Sequence, residues 1–123
     1  AVIGTSTPPL ERAPVANARV VDAFGNSLAE VSVDQQVQIE ADLVNGQDGD
    51  QSFAYLVQVQ DSDGVTVSLA WITGQLAAGQ SFSPALSWIP DASGSYEATV
   101  FVWESVDNPT ALSDTTSVSI TVV

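Results

Sequence analysis

At 123 residues the chain has the length of one domain with a real core, and its 45% hydrophobic content excludes a disordered polypeptide. Its 15 acidic residues face two arginines with no lysine or histidine, and the net charge of -13 argues against nucleic acids and anionic membrane surfaces as partners. No apolar run approaches the ~20 residues of a membrane-spanning helix, and the lack of cysteine removes disulfides, thiolate catalysis and cysteine metal sites.

The chain opens with AVIGTSTPPLERAP, residues 1–14, which reads as an arm outside the domain. Pro8, Pro9 and Pro14 cannot donate ladder hydrogen bonds, so 8–14 is expected to be an extended spacer. Ahead of it, Ala1, Val2, Ile3, Gly4 and Thr5 belong to the small, β-branched, uncharged segment 1–7. A segment of that kind can pair as a strand with another chain, as in donor-strand complementation. Repeated head to tail, such a contact does not close on itself and builds a filament. A frayed terminus or packing within the chain is the plain alternative. The first residue is Ala1, and methionine is absent throughout. With the lysine-free, Ser/Thr/Gln/Val-rich composition, this leads to the expectation of a secreted protein whose leader has been removed.

From Val15 onward a period of two dominates, and no helical stretch is evident. A first strand is expected around Val15–Ala23 with FGN as its turn, then one on which Val37, Ile39, Ala41 and Leu43 alternate with polar residues. NGQDGD turns into a strand with Phe53, Tyr55, Val57 and Val59 on one face. DSDG at 61–64 is a hairpin turn. Val65, Val67, Leu69 and Trp71 follow on one side of the next strand and are expected in the core. LAAGQ turns into SFSPALSWI, where Pro84 marks an edge or a bulge and Trp88, sharing a side with Phe82 and Leu86, is also expected inside. PDASG leads into GSYEATVFVWES, and DNPTALSD separates that strand from a last one carrying Val118, Ile120 and Val122. About seven strands at this spacing predict an all-β, two-sheet antiparallel sandwich over 15–123.

The strand from Gly94 to Ser105 carries apolar residues on both faces. With Tyr96, Ala98, Val100 and Val102 inward, Phe101 and Trp103 point outward, beside wherever Leu56 emerges on the neighbouring strand. Outward apolar side chains at Leu56, Phe101 and Trp103 mark a candidate subunit contact.

Asp91-Ala-Ser-Gly94-Ser-Tyr96 and the strand after it resemble the E–F corner and F strand of immunoglobulin-like folds, in which the corner tyrosine bonds back to the main chain. More narrowly, VSVDQQVQIEADLVNGQ through GSYEATVFVWESVDNPTALSD is similar to Ig-like modules of archaeal secreted and cell-surface proteins. The arm-plus-sandwich layout without cysteine resembles archaeal extracellular filaments joined by N-terminal donor strands. That resemblance implies a pilus-like homopolymer at the cell surface. It does not extend to type IV pilins, whose mature N-terminus is a long apolar helix that Pro8 and Pro9 forbid.

Chemistry is sparse. Without histidine, cysteine or lysine, the usual bases and covalent nucleophiles are gone, and the carboxylates sit in turns and on polar faces; the expectation is a protein that is not an enzyme. Asp48, Asp50, Asp61 and Asp63 could offer oxygen ligands to calcium, but DGD and DSDG stand where turns want Asp and Gly, and Ile72 occupies the twelfth position counted from Asp61, where an EF-hand needs glutamate. No other cofactor is expected. Asn108-Pro-Thr110 is not a glycosylation sequon. An adhesion or carbohydrate-binding module of a larger surface protein, with Trp71, Trp88 or Trp103 stacking on a sugar, is the alternative function; a sugar platform generally needs more than one exposed ring.

Overall fold

The computed structural model describes residues 12–123. Eight strand segments are present among them: β1 (Val15–Val21), β2 (Val37–Val44), β3 (Gln51–Asp61), β4 (Thr66–Leu76), β5 (Ser81–Phe82), β6 (Ala85–Trp88), β7 (Gly94–Trp103) and β8 (Thr116–Val122). β5 and β6 are the single strand expected over SFSPALSWI, interrupted by Pro84, which has no N–H for a ladder. The expected candidate donor strand, Ala1 to Thr5 within 1–7, lies outside the described residues. The end of the expected spacer is already tied into the domain: the Ala13 amide donates to the Leu112 carbonyl at 3.1 Å, and the Pro14 carbonyl accepts from Val44.

The strands form two antiparallel sheets. In one, β2 lies between β1 and the β5/β6 pair; the other runs β4-β3-β7-β8. This is the two-sheet antiparallel sandwich expected from the alternation, with the Ig-like layout that the resemblance implies. Val37, Ile39, Ala41 and Leu43 of β2 face Phe53, Tyr55, Val57 and Val59 of β3 and Ala98, Val100 and Val102 of β7 across the core. Two aromatic contacts tie the layers together. The buried Tyr55 hydroxyl donates to the Ile39 carbonyl at 3.2 Å, and burial pushes its pKa up, so the phenol stays protonated. Trp88 of β6 packs edge-on against Tyr96 of β7 with ring centroids 5.1 Å apart, and Trp88 is buried as expected. The Tyr96 hydroxyl donates to the Ala92 carbonyl at 2.8 Å, the bond by which a corner tyrosine fixes the chain's passage between sheets.

The turns have the chemistry their residues announce. Gly25, Gly64 and Gly79 take positive φ, and the carboxylates of Asp22 and Asp61 accept from amides two and four residues on.

β4 corrects the sequence reading. Its large residues, expected in the core, face solvent: Trp71 is 50% exposed and Leu69 54%, with Val65 and Val67 also exposed. The cause is a β-bulge. Gln60 pairs with Thr66, but Val59 pairs with Ser68, so Val67 is an extra residue on β4. Paired without a bulge, the same residues would set Tyr55 opposite Trp71; with it Tyr55 faces Ile72, and every later side chain on β4 changes sides. The inward positions are therefore small or medium, opposite large residues of β3. Gly74 lies against Phe53 so closely that a Cβ would stand 3.1 Å from the ring.

Candidate functional site

The bulge brings Trp71 onto the outer face of the β4-β3-β7-β8 sheet, where two apolar rows cross the strands. Leu56 pairs with Trp71 on one side and Phe101 on the other; Ala54, one row along, pairs with Trp103 and Thr73. Phe101 and Trp103 are half-buried, with ring centroids 6.1 Å apart. Leu56 points outward as expected, yet it is only 5% exposed, because the larger residues beside it close over it. Together with Leu69 and Val106 these side chains line a shallow groove of about 300 Å³. The structure thus brings Leu56, Phe101 and Trp103 together and adds Trp71 and Leu69, which the alternation had assigned to the core.

The remaining rows of this face are polar but nearly uncharged. Gln58 lies between Leu69 and Thr99, and Thr99 pairs with Ser117; Gln60 pairs with Glu97, which pairs with Ser119. Among the outward strand positions of this sheet, Glu97 is the one carboxylate, in a chain with 15 acidic residues.

A second feature lies at the edge of the same sheet. β4 is 11 residues long, and no described strand pairs with its far side. Its sequence TVSLAWITGQL contains neither a charge nor a proline, so the edge lacks the usual guards against pairing. Between β4 and β5 a cleft of about 260 Å³ is lined by Phe53, Ile72, Gly74, Leu76 and Phe82. Phe82, on the core side as expected, borders this cleft and remains 42% exposed. Buried Asn45 fixes the cleft's end: its side-chain amide donates to the carbonyls of Gly49, Leu76 and Ala77 at 2.8, 3.1 and 3.1 Å. Every donor of that amide is used inside the protein.

The aspartates considered for calcium are placed differently. Asp48 and Asp50 are exposed in the β2–β3 loop, while Asp61 Oδ1 accepts from the amides of Asp63 and Val65 at 2.9 and 3.0 Å, as the hairpin turn requires. Among the described residues no group of three or more acidic, histidine or cysteine side chains gathers as metal ligands would. No described helix is long and apolar enough to cross a membrane.

No family model matches this sequence, and neither does any curated protein sequence. Solved structures do share the architecture. The C-terminal domain of wzt is similar with a TM-score of 0.73 at 14% identity, over 92% of this chain and 74% of that one. The CARDB domain of the PF1109 protein from Pyrococcus furiosus, solved in complex with di-metal ions, gives 0.63 at 15% identity over 96% and 98% of the two chains. PapD-like domain 7 of human CEP192 gives 0.54 at 14% identity over 99% and 91%. At such identities the likeness is one of fold, and the class it defines is an Ig-like β-sandwich.

Proposed function

We propose that this protein is a non-catalytic structural subunit of an extracellular, pilus-like filament, in which residues 1–7 of one copy add a strand to the β4 edge of the next. The observation that carries this reading is the edge itself: a long, uncharged, proline-free strand with no described strand on its far side, beside an apolar cleft. Strand addition supplies main-chain hydrogen bonds, and alternate side chains enter pockets. Val2 or Ile3 would fill the slot between Phe53, Ile72 and Phe82. Segment 1–7 carries no charged side chain, so it approaches this acidic domain without adding repulsion. Electron microscopy tests the reading: the full chain forms threads, and deletion of 1–7 abolishes them while leaving a folded sandwich. Threads that survive the deletion would remove the arm as connector.

A carbohydrate-binding module is the second reading, favoured by Trp71, which gives the outer face two tryptophans. Its groove is overwhelmingly apolar, whereas sugar sites add hydrogen-bonding groups to the stacking rings. Glycan-array binding lost on Trp71→Ala and Trp103→Ala would favour it.

A further inference from the structure

We propose that the outer face of the β4-β3-β7-β8 sheet seats the same face of a second copy, so that threads pair laterally. This rests on the self-assembly reading and adds to the end-to-end contact a second one of different symmetry.

The argument begins with charge. Two copies each carrying -13 meet like charges almost wherever they touch. Each such pair at ~10 Å in water repels by about 0.4 kcal/mol before salt screens it, and many pairs add. The outer face of the β1-β2-β5/β6 sheet cannot serve, because Glu40 and Asp42 stand on it against Arg19 alone. The opposite face, with Glu97 as its one carboxylate among the strand positions, lets two copies approach closely. A cationic partner would be drawn elsewhere on the molecule, leaving this face for a neutral surface.

Geometry adds to this. The row Trp71–Leu56–Phe101 crosses three adjacent strands with the largest rings at its ends and the buried leucine between them. A two-fold axis in the interface plane, running along β3 above Leu56, lays Trp71 of each copy over the Phe101–Trp103 side of the other, the self-complementary pattern of an isologous contact. Sheets pack face to face in this way at ~10 Å separation.

Size sets the strength. Four strands, with the apolar stretch running from Val67 to Thr73, present roughly 19 by 23 Å, on the order of 450 Å² per copy. That is well under the ~800 Å² per partner of a standard interface. One face pair is therefore weak, and many along a thread are strong by multivalency.

The test uses the full chain and the double variant Leu69→Glu/Trp71→Glu, both positions being half exposed, with circular dichroism to confirm the fold. Micrographs should show bundled threads for the parent and single threads for the variant. Molar NaCl should partly restore bundling by screening the new charges. Discrete dimers in place of threads, weakened at least about tenfold by the variant, would support the face while removing the arm-based filament. Bundles as thick in the variant as in the parent would overturn the proposal, as would glycan binding lost in the variant with self-association unchanged. A parent that stays monomeric at high concentration and high salt would overturn it too.

Discussion

On the outer face of the β1-β2-β5/β6 sheet, Arg19 bridges Glu40 and Asp42, and Asp42 also accepts from Asn17 and from Ser83 at 3.1 and 2.7 Å. At the corresponding place on the other sheet, Leu56 is roofed by Trp71, Phe101 and Trp103. The edges differ in the same sense. β1 carries a bulge between Ala16 and Arg19 with Asn17 at φ 59°, which breaks its ladder; β4 beyond its own bulge runs unbroken to Leu76. One sheet is finished toward water by ions and an irregular edge, while the other presents an apolar face and an edge with no neighbour among the described strands. Outer surfaces of one sandwich need not obey one rule.

The sharpest way to break the contrast is Leu56→Ala. Although Leu56 points away from the core, it is as buried as a core residue, so its loss should destabilise by about 2–3 kcal/mol in chemical denaturation. Glu40→Gln, at a matching outer position on the ionic sheet, should cost under about 1 kcal/mol. If the two cost the same, the roof over Leu56 is open in solution. Next in size is Tyr96→Phe, which removes the bond to Ala92 and should cost about 1 kcal/mol without affecting assembly, since the hydroxyl lies away from the apolar groove.

The smallest effect is acid titration of the ionic face. Hydrogen bonds from Ser83, Asn17 and Arg19 lower the Asp42 pKa from 3.8 to about 2. A depressed carboxylate stabilises the fold fully above its unfolded value and loses that contribution as pH falls through the folded one. Stability should therefore decline between pH 3.8 and about 2, and Asp42→Asn should flatten that part of the curve. Because the Asp42 side chain is 41% exposed, the effect stays below about 1 kcal/mol. Thermal melts over this pH range measure it.

The sheet architecture was readable because β2 alternates strictly and β3 and β7 each keep an apolar inner phase from end to end. Tyr96 was readable from the residues before it, and Pro84 from its missing donor. Phe101 and Trp103 stood out because they share a strand with an apolar opposite face. Trp71 did not, since alternation reports which residues share a side and cannot report which side that is. The phase of β4 depends on its register against β3, and the bulge at Val67 resets it. One local signal was present: Gly74 makes sense only opposite a large core residue, and matching it to Phe53 gives the correct register.

That extra residue has an implication for how such a surface persists. Deleting Val67 would remove the one unpaired position and leave Ser68 opposite Val59 and Trp71 opposite Leu56, so Leu69 and Trp71 would still face outward. A single in-frame codon at that point is absorbed by the hairpin and leaves the sticky face as it is. The adhesive side therefore tolerates gain or loss of a residue beside the hairpin, with no change of any amino acid that does the sticking.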